Sequence, residues 1–348
     1  MIVASGLSGC SFFMPAKDPP EHLSQAKVFK NDVSLEKVNF AESESFGGVT
    51  DISVIPKDLS VACATTKGGA YLDKSGAVQS SVVFDQRVDE VDLIPSESGG
   101  KFRYLNRGSW GTQSCLLDEN GKLIWKAKDK DGVDDTAYGV LADRGKFAVG
   151  YNGGGGVSLL DDRGKELWSR EDGNVWHVEI TDPFKKKAAR IIHSNAGGDI
   201  TVRDGYGNVV SKSNAPFYFS SFSLCRWPDK TSEQRLISCS GGSIWLLDEK
   251  GGEVKKFDVP VDDQFNDIQA ALVKLVPSQP PYLATLTTWK RWNRTMFCIH
   301  DNKGKIVYDE CLTEMCRAIA VVNQGESQPE ALLIGGEKRI IKYSPSSP

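Results

Sequence analysis

A short turn motif that recurs six times constrains the fold of this chain more than any other feature of its sequence. The copy at residues 159–168 reads Leu-Leu-Asp-Asp-Arg-Gly-Lys-Glu-Leu-Trp, an apolar pair, an Asp-x-x-Gly turn and, after it, a Trp. A period near 43 residues is typical of propeller blades, each of which holds four short antiparallel strands. The turn aspartates are Asp73, Asp118, Asp161, Asp204, Asp248 and Asp301, at successive steps of 45, 43, 43, 44 and 53 residues.

The residue types of the motif explain why it forms a turn. An Asp at the first turn position accepts hydrogen bonds from backbone amides further along, and Gly adopts the backbone angles that close a tight turn. Each motif therefore joins two strands of one blade. The flanking apolar residues and the Trp are predicted to face the neighbouring blade, because a lone sheet cannot bury both of its faces and copies must stack around a ring.

The sequence predicts an all-β fold, a seven-bladed β-propeller of four-stranded antiparallel blades, with eight or six blades as alternatives. Beyond the sixth motif, residues 331–336 and 338–344 read as two more strands. Apolar residues alternate over residues 33–40, so an N-terminal strand is predicted to join the C-terminal blade and close the ring. Closure removes the open sheet edges that would otherwise pair with other chains. No helical periodicity of useful length occurs.

Length and charge limit the domain organisation and the partners. Of the 348 residues, 1–32 are predicted to form a leader or tether and 33–348 a single propeller domain. The net charge of −4 gives no general attraction to nucleic acid or to an anionic membrane. No run of 18 apolar residues is present, so no segment is predicted to span a bilayer. The chain is predicted to be a monomer that binds no nucleic acid.

Residues 7–10, Leu-Ser-Gly-Cys, resemble the lipobox of bacterial lipoproteins, in which the Cys is lipidated. This resemblance predicts lipidation at Cys10 and a location in the cell envelope, periplasmic or at the outer membrane, with the lipid as the only membrane contact. The alternative is a cytoplasmic protein, because the stretch upstream is too short for a charged region and an apolar region. The seven other cysteines cannot all pair, which weakens the assignment to an oxidising compartment.

An unusual surface stretch at residues 289–294, Trp-Lys-Arg-Trp-Asn-Arg, is the main candidate for binding a protein partner. Trp and Arg are favoured anchors of protein interfaces. The longest step of the repeat falls here, and its extra residues are predicted to emerge on one face, where binding sites of repeat proteins usually lie. In the alternative interpretation the Trp rings cover the blade edge and the cations are solvated. The candidate partner-binding residues are Trp289, Arg291, Trp292 and Arg294, together with Arg107 and Trp110 from the matching connection of blade two.

The sequence predicts no catalytic residue, no metal site and no cofactor. None of the histidines has a Cys or a second His at metal-ligand spacing, and a channel-facing His177 would lack a visible partner for work as a base. No Gly-x-Ser-x-Gly motif is present. The run of Gly153 to Gly156 is predicted to be a hairpin turn. The acids predicted to lie solvated in connections between blades, without the spacing of a calcium loop, are Asp131, Asp134, Asp135, Asp172, Asp262 and Asp263.

The units at residues 117–125 and 160–168 resemble the blade signature of PQQ-like (quinoprotein-dehydrogenase-like) β-propeller repeats, over about residues 33–345. The resemblance implies that the Trp packs blade on blade. It also implies a calcium site and two adjacent cysteines in the catalytic members, and this chain has no adjacent cysteines. The non-catalytic lipoprotein propellers of the family are the better match.

The function predicted from these features is that of a non-catalytic binding or scaffolding propeller, which presents one loop-rich face to a protein partner in the cell envelope. The alternative is a ligand-binding or enzymatic propeller, directed at a quinone or a sugar, that uses the mouth of the central channel. A fold alone does not decide between these functions.

Overall fold

The computed structural model describes residues 27–42, 47–96, 101–108, 113–128, 130, 132–182, 188–195, 197–215, 222–227, 234–240, 242–248, 250–258, 267–289, 292–325 and 327–346. Regular structure in these residues consists of β-strands alone, which form seven antiparallel sheets. None of them belongs to a helix long and apolar enough to cross a membrane. The predicted seven-bladed β-propeller is confirmed.

Each blade is described from its inner to its outer strand. The strands of the first three blades are β3 (Val49–Ile55), β4 (Ser60–Thr65), β5 (Gly68–Leu72) and β6 (Val78–Val83); β7 (Val91–Pro95), β8 (Phe102–Asn106), β9 (Cys115–Leu117) and β10 (Leu123–Lys126); and β11 (Val133–Leu141), β12 (Arg144–Tyr151), β13 (Gly156–Leu160) and β14 (Glu166–Arg170).

The fourth and fifth blades follow the same order. Their strands are β15 (His177–Ile180), β16 (Ile191–Ser194), β17 (Asp199–Arg203) and β18 (Val209–Asn214); and β19 (Phe222–Arg226), β20 (Gln234–Ser240), β21 (Ser243–Leu247) and β22 (Glu253–Asp258). The sixth and seventh blades each gain one strand from the N-terminal part of the chain. Their strands are β23 (Asp267–Val273), β24 (Tyr282–Trp289), β25 (Arg294–His300), β26 (Ile306–Leu312) and the added β1 (Lys27–Asn31); and β27 (Cys316–Val322), β28 (Ala331–Gly336), β29 (Arg339–Pro345) and the added β2 (Leu35–Glu42).

The seven inner strands surround a central channel, and the inner strands of the last and first blades contact each other, which makes the ring continuous. Since the strands of a blade alternate in direction, the connections fall on two faces. The face with the connections between blades and between second and third strands is called the loop face. The opposite face, with the Asp-x-x-Gly turns, is called the turn face.

The turns form as their residue types predict. In Asp161, the Oδ1 atom accepts hydrogen bonds from the amides of Arg163 (3.0 Å) and Lys165 (2.9 Å), and the carbonyl accepts one from Gly164 (3.0 Å). The other five copies repeat this arrangement. Residues 152–155 likewise connect two adjacent strands, as the predicted hairpin turn requires. The short polar sequence of each turn therefore closes its hairpin without help from elsewhere.

Each turn glycine also packs against the preceding blade. A β-carbon added at Gly164 would lie 2.6 Å from Cγ of Trp125, and one at Gly304 would lie 2.3 Å from the ring of Phe257. Trp168 occupies the same place beside Gly207, and its Nε1 donates to the carbonyl of Gly205 at 3.0 Å. The predicted packing of the repeat Trp on the next blade is confirmed.

The described apolar core is divided between the blades rather than gathered in one centre. It consists of seven clusters, and each combines residues of two neighbouring blades. The described cysteines belong to this core: all seven are buried, and no two of them form a disulfide bond. Burial raises the pKa of the Cys225 thiol to about 12, so this thiol carries little thiolate at neutral pH.

The ring is closed by β2, which pairs with β29 from Leu35 opposite Pro345 to Glu42 opposite Arg339. The predicted N-terminal closing strand is confirmed. The sequence did not predict β1, which lies within the segment assigned to the leader and pairs with β26 as a fifth strand. Only residues 32–34 separate β1 from β2. The two N-terminal strands therefore pair with two neighbouring blades.

A buried ionic cluster joins the closing strand to both blades. Glu310, only 3% exposed, accepts hydrogen bonds from the hydroxyls of Tyr308 and Tyr343, each at 2.8 Å. Lys37 of β2 forms an ion pair with the same carboxylate. Because a buried charge is tolerated only when it is paired and hydrogen-bonded, these contacts define where β2 must sit.

Substitution of Gly164 by Ala is expected to destabilise the protein by about 2–4 kcal/mol. Its φ of +76° is unfavourable for any residue with a β-carbon, and the added atom would overlap the Trp125 ring. Urea unfolding followed by tryptophan fluorescence measures the change.

The matched control is Gly154→Ala, at a glycine outside the left-handed region where a β-carbon meets no atom within 4 Å. It is expected to change the free energy of unfolding by less than about 0.5 kcal/mol. Equal effects of the two substitutions would contradict the role given to the turn glycines.

Candidate functional site

The loop at residues 289–294 packs its aromatic part inward. Trp289 is 1% exposed in the cluster between blades five and six, and its ring centroid lies 5.9 Å from that of the partly buried Trp292. Arg294 donates from Nη1 to the carbonyls of Asn293 (3.0 Å) and Thr313 (3.3 Å). For Trp289 the geometry matches the alternative interpretation, in which the ring covers the blade edge. Arg291 lies outside the described residues, and partner binding by this loop stays a prediction.

Arg107 points into the channel. It follows β8 on the loop face, and its guanidinium binds the Asp135 carboxylate with Nε and Nη2 at 2.9 and 2.8 Å. Asp92 lies 3.7 Å from the same guanidinium. Trp110, grouped with Arg107 in the sequence analysis, lies outside the described residues. The structure therefore makes Arg107 part of a charged channel mouth.

This channel mouth is a cavity of about 290 Å³, open toward the loop face. Its charged lining comes from the inner strands of several blades and from Arg107. Three carboxyl groups face two guanidinium groups: Asp51, Asp92 and Glu179 against Arg107 and Arg317. Arg317 pairs at 3.5 Å with Glu90, which adds one more acid to the rim. We call the set Asp51, Asp92, Glu179, Arg107 and Arg317 the channel cluster.

Some of these acids also hold neighbouring blades together. Asp51 accepts a hydrogen bond from the Leu93 amide of the next blade at 2.8 Å, and Asp135 accepts one from Val178 at 3.0 Å. The Ser223 hydroxyl donates in the same way to the Ile268 carbonyl at 2.7 Å. Adjacent inner strands form no ladder with each other, so side chains supply the missing hydrogen bonds.

The prediction that Asp135 and Asp172 are solvated is wrong. Asp135 lies on β11 and is 5% exposed, while the side chain of Asp172 is 13% exposed and bound by Arg203 at 2.5 Å. Both were assigned to solvated connections between blades because their spacing does not resemble that of a calcium loop. The channel and the spaces between blades instead supply cationic partners. Asp131, Asp262 and Asp263 lie outside the described residues.

The charge balance of the channel mouth shifts several pKa values. Burial opposes ionisation of Asp135, but Arg107 and His177 outweigh it and lower the pKa of this carboxyl to about 2. Burial raises the pKa of Glu179 to about 8, even though Arg107 acts in the opposite sense. Burial and then the charge of Asp92 raise the pKa of Asp51. Arg107 thus mainly stabilises the ionised form of Asp135. Too little positive charge remains to keep the pKa values of the other carboxyl groups low.

The three described histidines, His177, His193 and His300, lie on different strands. In the described part of the chain, no group of three His, Cys, Asp or Glu side chains is placed to hold a metal ion. His177 lies at the channel, with Nδ1 3.8 Å from Asp135 Oδ2. His193 is buried beside Asp172, and burial lowers the pKa of His300 to about 4.

Sequence reasoning missed Asp51, Asp92 and Glu179 as site residues. A signal was present: Asp51, Asp92 and Asp135 stand 41 and 43 residues apart, close to the repeat period, and each lies on the first strand of its blade. Equivalent positions on successive inner strands converge on the channel. Glu179 follows Asp135 by 44 residues, on the first strand of the next blade, so it continues the same series.

The comparisons identify the fold. No family model matches the chain, and no curated protein matches it in sequence. The crystal structure of selenomethionine-substituted virginiamycin B lyase from Staphylococcus aureus superposes with a TM-score of 0.61 at 12% identity, covering 89% of this chain and 99% of that one. The structure of BBS1N in complex with ARL6DN gives 0.61 at 8% identity, with coverage of 91% and 98%. At such identities the likeness extends to the propeller fold alone.

The melting temperature of the wild-type protein is expected to decrease as the pH rises from 5 to 8.5. The melting temperature of the Glu179→Gln variant is expected to decrease by several degrees less over the same range. The pKa of Glu179 is about 8 in the folded protein against 4.5 for a free Glu. A carboxyl whose pKa is higher in the folded state costs stability as the pH rises through that interval. Thermal denaturation across the pH range measures the difference.

Glu253→Gln, a change at an exposed Glu on the outer strand β22, is the control and should follow the wild-type pH profile. Parallel profiles for Glu179→Gln and the wild type would contradict the charge balance described for the channel cluster.

Proposed function

We propose that this chain is a protein-binding propeller whose loop face docks a partner that places a Lys or Arg side chain in the channel mouth. The observation that carries this proposal is the shortage of positive charge in the channel cluster. Arg107 is engaged by Asp135 and, at 3.7 Å, by Asp92, while Arg317 is engaged by Glu90. Three carboxyl groups, Asp51, Asp92 and Glu179, therefore share one cavity with two guanidinium groups that are already paired.

A cation from a partner would relieve this shortage. It would favour the ionised carboxyls, whose pKa values burial raises, and the raised pKa would fall on binding. Charge complementarity of this kind contributes to specificity and to the association rate. The complex of BBS1N with ARL6DN is a protein complex of a similar fold, and it supports the proposal only at the level of fold.

An enzymatic role for the channel mouth is the second candidate. The observation that favours it is the pKa of Glu179 near neutrality, because a carboxyl group of that kind is suited to proton transfer. A quinone or a sugar as substrate, as considered from the sequence, has no further support among the contacts of the channel cluster.

A photo-crosslinking residue in place of Arg87 is expected to capture a specific partner in the native cell. Arg87 precedes β7 on the loop face, and its side chain is 78% exposed. In the Asp92→Asn/Glu179→Gln background the same crosslink should weaken, since the partner's cation loses its carboxylates. Mass spectrometry of the crosslinked band measures both effects.

The control places the same crosslinking residue at Tyr206, which is 81% exposed on the turn face. It should not capture that partner. Capture from position 206 alone, or a crosslink from position 87 that is unaffected by the double substitution, would contradict docking through the channel mouth.

We further propose that the protein is held in the cell envelope by a lipid on Cys10. The proposal is supported by the lipobox-like residues 7–10 alone, which lie outside the described residues. Expression with the native upstream codons should give an intact mass increased by the lipid, and Cys10→Ala should remove that increase. An unmodified Cys10 would contradict the envelope location.

A further inference from the structure

A second cavity lies apart from the channel, between blades three and four on the loop face. Its volume is about 360 Å³, within the range of small-molecule sites. It opens beside the outer strand β18, and its lining is almost entirely polar: among the described residues, only Val175 and Ile200 contribute apolar side chains. Its polar lining includes the side chains of Asp172, His193, Asp199, Thr201, Lys212 and Asn214.

The two carboxylates of this cavity are already satisfied by the protein. Asp172 is held by both Nε and Nη2 of Arg203, at 3.0 and 2.5 Å, and lies 3.2 Å from Nε2 of His193. Asp199 accepts hydrogen bonds from the side-chain amides of Asn195, at 2.7 Å, and Asn214. Arg203 therefore neutralises Asp172, and the two amides hold Asp199 in the wall of the cavity.

The groups left for a ligand are donors. Thr201 is 8% exposed and lines the cavity, yet its hydroxyl makes no hydrogen bond within the described ranges. The hydroxyl faces the cavity, where a ligand oxygen can form the hydrogen bond that the protein does not supply. Lys212 stands opposite Thr201 on the adjacent strand, and its ammonium group has no ion pair with any described residue. The cavity thus offers a positive charge and a hydroxyl side by side.

We propose that this cavity binds a small polyhydroxylated carboxylic acid of monosaccharide size. The ammonium group of Lys212 pairs with the ligand carboxylate, and Thr201 and the neighbouring amide side chains bind its hydroxyls. The scarcity of apolar side chains disfavours a lipid or a nucleobase, which would need apolar or stacking contacts. The site shares no residue with the channel cluster, so the proposal of ligand binding can be tested separately from the proposal of partner docking.

The test is a titration of the full chain with D-glucuronate and D-gluconate, followed by two-dimensional amide NMR. At least one of the two acids is expected to give saturable shifts at the amides of Thr201 and Lys212. D-Glucose, which matches glucuronate except for the carboxylate, should bind at least roughly tenfold more weakly, because it lacks the charge-assisted contact. The absence of saturable shifts with both acids at millimolar concentration would overturn the proposal, as would equal binding of glucose.

Variants locate the effect. Lys212→Gln is expected to weaken binding of the acid roughly tenfold or more, and Thr201→Val, which keeps the side-chain shape, to weaken it several-fold. Lys126→Gln, at an exposed Lys on the corresponding outer strand of blade two, is the matched control and should bind as the wild type does. Undiminished binding by Lys212→Gln would overturn the proposal. Amide signals from residues away from the cavity, unchanged in each variant, show that the variant is folded.

Discussion

The contact between the outer strand of one blade and the turn glycine of the next is the interaction on which the ring depends. The aromatic side chains of Trp125, Trp168 and Phe257 lie against Gly164, Gly207 and Gly304, where a β-carbon would overlap them. Each of the seven described core clusters joins two blades, so no blade has a core of its own. Stability is therefore shared among nearest-neighbour interfaces, as in other repeat folds.

A ring of this kind must also place its last blade beside its first. The chain does so with β2, and the buried Glu310 with its two tyrosines and Lys37 makes that position specific. Inside the ring, the inner strands of adjacent blades are linked by side chains such as Asp51 and Asp135. Asp51 therefore faces the channel together with Asp92 and Glu179, and these three acids give the channel cluster its charge imbalance.

The repeat made the fold predictable, because the Asp-x-x-Gly turn forms from local residues and its period sets the blade size. The closing strand β2 was predictable too, since apolar residues alternate over residues 33–40. Strand β1 was not: it pairs at the edge of β26, where burial demands little of the sequence. The acids of the channel cluster, Asp51, Asp92 and Glu179, were missed because they are ordinary acids, far apart in the chain, that only the closure of the ring brings together. Trp289 was predicted to lie on the surface for a related reason. Cationic residues follow it in the sequence, while its neighbours in the core are distant in the chain.

The pairing of β1 with the rim of blade six has a mechanical consequence. Residues 32–34 lead directly from β1 to β2, so a pull on the chain before residue 27 acts first on the β1–β26 ladder. The hydrogen bonds of that ladder must break before any tension reaches β2 and the Glu310 cluster. The pairing of β1 with β26 thus protects the closing strand from forces that act on the N-terminal segment.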